Sequence, residues 1–234
     1  MDRQFPVYTI ENECQDCYKC VRHCHCKAIR IVNARAAVIP ELCVSCGECV
    51  KICPAHAKKI RSDAARLRQF LAAGDQLYAS VAPSFVGYFP GVPFPALAAA
   101  LRKLGFAGVS ETAHGAQLVS AATGNFLQTC SDGIHISSAC PAAVDYIRKY
   151  LPEWTSAIVP FDSPVMAHAK LLRRTYGDGI RVVFFGPCAA KKTEADGNPG
   201  VLDLAITFPS LVALLEERNI KIDPAAQAPL ALGP

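Results

Sequence analysis

No apolar run of about 18 residues or more, the length a membrane-crossing helix needs, occurs in the 234-residue chain. The opening stretch MDRQFPVYTIENEC also lacks the apolar core of a secretory signal. Together these predict a cytoplasmic protein with no membrane partner. Glycines 87, 91 and 105 fall into no nucleotide-binding fingerprint. The formal charge is only +4, and the Lys and Arg residues are scattered along helical stretches rather than gathered into a patch, so a nucleic-acid partner is not expected. Tryptophan occurs once, as Trp154 just after Pro152, and is read as a packing anchor. What the chain does have is apolar residues at 51%, enough for a core and too many for global disorder.

It also has twelve cysteines. In a reducing compartment that number argues for metal or redox chemistry rather than disulfides. Eight of them form two runs, CQDCYKCVRHC (Cys14, Cys17, Cys20, Cys24) and CVSCGECVKICP (Cys43, Cys46, Cys49, Cys53). Both follow C-x2-C-x2-C-x3-C, and Pro54 closes the second. Three thiolates so closely spaced reach three irons of one cubane, and the fourth points to the neighbouring cluster. Cys14, Cys17, Cys20 and Cys53 are therefore expected to hold one [4Fe–4S] cluster, and Cys43, Cys46, Cys49 and Cys24 the other. Zinc also uses paired C-x2-C motifs, but a triple is crowded for a four-coordinate tetrahedral ion, which favours clusters. Each cubane with its four thiolates carries about −2, so two would bring the holoprotein close to neutral. The runs repeat 29 residues apart, each followed by a short strand pattern, AIRIV and AKKI. His25 stands where the first run would carry a proline, and a ninth cysteine, Cys26, follows it. Cys26 is read as a buried spare thiol, with competition against Cys24 as the alternative.

These features predict an α+β ferredoxin-like dicluster domain over residues 1–62. A linker helix is expected at 63–76, capped by Ser62 or Asp63 and ended by Gly74. From residue 77 to 234, strand and helix patterns alternate, which predicts an α/β domain with a mostly parallel sheet. Expected strands are QLYASVA, AGVS, IHISSA, IRVVFFG and LAIT, each with a helix after it. Cys140 and Cys188 are each placed at the end of an expected strand and the start of a helix. There the dipole and free N–H groups favour thiolate, and the strand ends share one edge where ligands bind. The residues alone leave open whether these two are buried thiols or part of a third metal site. Cys130, in QTCSDG, reads as a spare thiol. His114, His135 and His168 are isolated and read as hydrogen-bonded structural histidines.

SSACP (137–141) and PCAAKKTEAD (187–196) resemble two of the three H-cluster motifs of the [FeFe]-hydrogenases, and VAPSF (81–85) and VSETAHGAQL (109–118) resemble further segments of that family. The resemblance spans nearly the whole chain. It implies that Cys140 and Cys188 ligate the cubane of an H-cluster, and that Lys191 and Ser84 donate hydrogen bonds to ligands of its diiron unit. It also exposes departures. The family's proton-shuttling cysteine is Ala139 here, its acidic pair is replaced by Ala122 and Thr123, and the methionine expected before Pro187 is Gly186. Alanine has no proton to transfer. Glu194 keeps its place. These losses resemble the sensory type of the family, linked to signalling rather than fast turnover.

The third motif, with its two remaining cysteines, is missing: no cysteine follows Cys188. The ending DPAAQAPLALGP reads as a chain stopped mid-domain, so those ligands are expected on a continuation or a partner. Three functions follow as expectations. One is a sensory-type hydrogenase relative, in which the two clusters serve an H-cluster-type site used for hydrogen sensing or slow hydrogen redox chemistry. Another is a ferredoxin-type electron carrier with a docking α/β lobe. The third is a hydrogenase-like protein of iron–sulfur assembly. A redox partner such as a ferredoxin, and a signalling partner, are the partners this implies.

Overall fold

The computed structural model describes residues 5–130 and 132–232. The chain divides into two compact units: Met1–Arg61, Ile134–Val159 and Cys188–Thr193 form one, and Ser62–Gly133, Pro160–Pro187 and Glu194–Pro234 the other.

The first unit is α+β with two small antiparallel sheets. β1 (Val7–Thr9) pairs with β4 (Lys58–Ile60), Thr9 opposite Lys58. β2 (Ile29–Val32) and β3 (Arg35–Val38) make a hairpin closed by Asn33 and Ala34, both at positive φ, as a two-residue turn matched to strand twist requires. Short helices α1 (Lys19–His23) and α2 (Glu48–Lys51) start inside the cysteine runs. The repeat is visible in the backbone: Asp16 and Ser45, Tyr18 and Gly47, Lys27 and His56 are left-handed pairs, each 29 residues apart. Left-handed turns at these spacings wrap the chain tightly enough for three near-neighbour thiols to face one point.

The same unit holds α7 (Pro141–Tyr150) and a 3-10 turn at Pro152–Ala157. Pro141 occupies the first turn of α7, where its missing N–H costs nothing. Ala142, Tyr146 and Tyr150 recur every fourth residue, and this stripe packs on Cys26, Ala28 and Val44. Tyr150 Oη lies 2.9 Å from the carbonyl oxygen of Cys26 and 2.7 Å from that of Leu42.

The second unit is α/β. Its sheet is fully parallel, in the order β6-β5-β7-β8, with β5 (Leu77–Val81), β6 (Gly108–Glu111), β7 (Arg181–Phe185) and β8 (Leu204–Ile206). The strands are buried on both faces, as a parallel sheet covered on both sides requires, with the hydroxyls of Ser80 and Ser110 among the buried groups. α3 (Ala64–Ala73) ends at left-handed Gly74. α4 (Phe85–Tyr88) is a single turn, and α5 (Phe94–Leu104), α6 (Ala113–Thr129), α8 (Pro164–Tyr176) and α10 (Phe208–Glu217) complete the unit's own helices. α9 (Ala190–Gly197) follows Cys188. The order puts a topological switch between β5 and β7, where chains leave the strand ends in opposite senses. Ala82 N–H donates to Phe185 O at 2.8 Å there, extending the ladder past the strand ends.

One expected strand is corrected. IHISSA forms no strand. Ile136 makes a lone parallel bridge to Ile158, and Ile134 is 60% exposed. Its alternating pattern found no sheet edge to join, and β-propensity is decided by neighbours.

α6 and α8 approach at Gly115. A Cβ there would stand 2.0 Å from Pro164 O and 2.7 Å from His168 N and Cβ. Alanine ordinarily gains up to about 1 kcal/mol over glycine inside a helix, and less in the first turn where Gly115 stands. Here the backbone clash outweighs it, so Gly115→Ala is expected to destabilise by about 1–3 kcal/mol, checked by urea unfolding.

Candidate iron–sulfur and H-cluster-motif site

The two cysteine runs surround two separate hollows. Cys14, Cys17, Cys20 and Cys53 line the first, with Ile31, Pro54 and Lys58 among its other walls. Cys24, Cys43, Cys46 and Cys49 line the second, and Cys26 lies on its wall. The last cysteine of each run thus stands with the first three of the other. Among the described residues no three Cys, His, Asp or Glu side chains close around a single ion. A cubane differs from such a site, since each thiolate takes a different iron. The donor set fits it: four thiols face a largely apolar hollow, and backbone N–H groups already aim at sulfur. Ala28 N–H donates to Cys24 Sγ at 3.3 Å and Ser45 N–H to Cys43 Sγ at 3.4 Å. Such bonds stabilise negative charge on a ligand sulfur.

Burial dominates the electrostatics of four of these thiols, Cys20, Cys26, Cys43 and Cys49. It pushes the Cys49 thiol up to about 12, against the pull of Lys58, with Cys43 and Cys46 adding to the rise. Burial likewise raises Cys20, where Lys58 pulls down and Cys53 and Cys14 push up. Cys43 is raised by burial against the Ser45 N–H, and Cys26 by burial and then by Cys24, Cys46 and Cys43. Metal uptake at thiols so raised would release their protons.

Cys140 caps α7 and is exposed; Cys188 precedes α9 and is half-buried. Hydrogen bonds tie their segments together and to the rim of the second hollow. Lys191 Nζ donates to Ala139 O at 3.4 Å, Lys149 Nζ to Cys43 O at 2.9 Å, and Thr193 Oγ1 to Ser45 Oγ at 3.1 Å. Ser84 lies in the second unit, exposed at the N-terminus of α4 beyond β5. Ala122 and Thr123 lie on α6, and Glu194 on α9. Gly186 has a packing cause: a Cβ would meet the Phe184 ring at 2.4 Å and Ala82 Cβ at 3.0 Å. His168 is buried and bonded through both ring nitrogens, whereas Cys130 is an exposed C-cap of α6.

Residues 75–232 match the family described as "Iron only hydrogenase large subunit, C-terminal domain". The chain belongs to this iron-only hydrogenase family. Residues 36–59 match a "4Fe-4S binding domain", so this member of the hydrogenase family is an iron–sulfur protein with a ferredoxin-type electron-transfer module. It is 28% identical, over 89% of its length, to the NADP-reducing hydrogenase subunit HndD of Solidesulfovibrio fructosivorans, of which it covers 44%. Over 48 residues it is 42% identical to a component of the ion-translocating oxidoreductase complex of Methanosarcina acetivorans, covering 20% of this chain and 18% of that protein. Its fold is like that of a variant of the [FeFe]-hydrogenase HydA1 from Chlamydomonas reinhardtii, with a TM-score of 0.61 at 23% identity. That likeness covers 73% of this chain and 51% of the algal one. The chain thus spans about half or less of the hydrogenases it matches. No described helix is long and apolar enough to cross a membrane.

Proposed function

We propose that this chain holds two [4Fe–4S] clusters and exchanges electrons with an H-cluster-type site to which Cys140 and Cys188 give two ligands. Cys14, Cys17, Cys20 and Cys53 hold one cluster, and Cys24, Cys43, Cys46 and Cys49 the other. A bound cubane supplies one-electron storage. The site's work is hydrogen sensing or slow hydrogen redox chemistry, its remaining ligands come from a continuation of the chain or a partner, and a ferredoxin-like protein is the electron partner.

One observation carries this reading. The segments bearing Cys140 and Cys188 are hydrogen-bonded to each other and to the Cys43–Ser45 loop, on the rim of one of the two thiol-lined hollows. Ala139 supports slow chemistry, because a methyl group beside the Cys140 ligand position cannot relay a proton.

The pairing of ligands is tested by iron content and EPR on anaerobically reconstituted protein. The parent is expected to carry about eight irons from its two cubanes. Cys17→Ala and Cys53→Ala are each expected to lose about four, and the double variant no more, since both act on one cluster. Cys53→Ala combined with Cys24→Ala is expected to lose nearly all. Additive loss in the first pair would overturn the interdigitated assignment. The H-cluster-type site is tested by infrared bands of bound carbon monoxide and cyanide after maturation with the missing cysteines supplied. No bands would leave a ferredoxin-type carrier in its place.

A further inference from the structure

The 29-residue repeat sets two residues in equivalent places, each five positions after the last cysteine of its run: Ile29 after Cys24 and Lys58 after Cys53. Both are buried, Ile29 in the apolar cluster with Cys20 and Ala36, Lys58 at 2% exposure. One repeat therefore fills this place with a hydrocarbon and the other with an amine. Lys58 Nζ donates to Thr9 Oγ1 at 2.6 Å and to Ala36 O at 3.1 Å, and Thr9 Oγ1 in turn donates to Ala36 O. Both partners are neutral, and among the described residues no carboxylate pairs with it. A buried lysine with only neutral partners is costly and calls for a compensating negative charge.

The surroundings supply one once metal is bound. Lys58 lines the hollow of Cys14, Cys17, Cys20 and Cys53. Its amine also sits on Ala36 O, and Ala36 belongs to the apolar cluster that holds Cys20 and against which Cys49 of the other ligand set packs. It is a charge that bears on both.

We propose that Lys58 is a positioning charge shared by the two cluster sites, raising the reduction potentials of both relative to a chain with an apolar residue there. Each cluster with its thiolates carries about −2 and gains a further negative charge on reduction, which a fixed cation favours.

This rests on the two-cluster reading, and the test separates the two. Iron content of the parent, about eight per chain, addresses that reading alone. Potentials are then measured by EPR-monitored redox titration of reconstituted Lys58→Met, Lys58→Gln and Lys58→Arg, with Lys59→Met on the opposite strand face as control. The expected result is that iron is retained, both potentials fall in the Met and Gln variants, and both stay near the parent in Lys58→Arg and Lys59→Met. Unchanged potentials in the neutral variants, or an equal shift in Lys59→Met, would overturn the proposal. So would loss of iron in both neutral variants with retention in Lys58→Arg, which would assign Lys58 to holding the clusters instead.

Discussion

Asp203→Ala is expected to cost about 3–5 kcal/mol, the loss typical of removing one partner of a buried ion pair. Asp203, with a side chain 5% exposed, precedes β8, and its carboxylate accepts three bonds in the second unit. Arg173 Nη2 donates to Oδ2 at 2.6 Å, Val182 N–H to the same oxygen at 2.8 Å, and Arg181 Nη1 to Oδ1 at 3.1 Å. Arg173 is as deeply held, its other donors spent on Val201 O at 3.0 Å and Asp178 O at 2.7 Å. Truncating Asp203 leaves that guanidinium buried without a counter-charge and an N–H of β7 without a partner. Arg181 is different: its side chain is 44% exposed, and Asp75 also accepts from it at 3.2 Å. Arg181→Ala is thus expected to cost well under half as much, because solvent takes over its share. For a chain of this size, 3–5 kcal/mol corresponds to a melting temperature lowered by about 10 °C. Thermal unfolding followed by circular dichroism, on holoprotein of both variants, reads the difference. Equal losses would mean that the Arg173 contact is not the one that matters.

Features set by local spacing were legible in the sequence. The 29-residue repeat of the cysteine runs is one, and the left-handed turns at Asp16, Tyr18 and Lys27 recur in the backbone at the same spacing. β7 was legible because a strand buried on both faces leaves an unbroken apolar run, Val182 to Phe185, and β5 because only Ser80 interrupts its apolar residues. Residues 134–139 were not, since an alternating pattern says nothing about whether a partner edge exists. That the Cys140 and Cys188 segments group with the N-terminal unit was also hidden. The only hint was the stripe of Ala142, Tyr146 and Tyr150, which has no partner in its own neighbourhood of sequence. Lys58 reads as a solvated strand residue until it is aligned with Ile29. Gly186 reads as the loss of a family residue, yet a Cβ there would meet the ring of buried Phe184, which would have to shift.

Acid is expected to weaken the second unit through His168. This residue of α8 is fully buried; Nδ1 lies 2.7 Å from Ser80 Oγ on β5 and Nε2 3.0 Å from Ser110 Oγ on β6. Ser80 Oγ lies 2.8 Å from Thr112 Oγ1, so the ring's hydrogen-bond partners are hydroxyls, with no carboxylate among them to welcome a proton. Burial, and then the nearby His114, whose ring centroid is 6.1 Å away, lower its pKa to about 4. In the unfolded chain histidine titrates near its ordinary value of about 6.5. The unfolded state therefore binds the proton first as pH falls. The contribution to stability is complete above about pH 6.5 and is lost progressively down to about pH 4, roughly 3 kcal/mol in all. Between pH 7 and pH 5 the loss should be about 2 kcal/mol, most of it before ordinary carboxylates titrate. Acid lability of bound clusters would add to the loss, but equally in the parent and in His168→Gln, which keeps hydrogen-bonding capacity and cannot charge. Urea unfolding of both proteins at the two pH values isolates the histidine: the parent is expected to lose about 2 kcal/mol more than the variant. Parallel losses would mean that His168 takes up its proton in the folded protein without penalty, the hydroxyls of Ser80 and Ser110 accepting from the imidazolium.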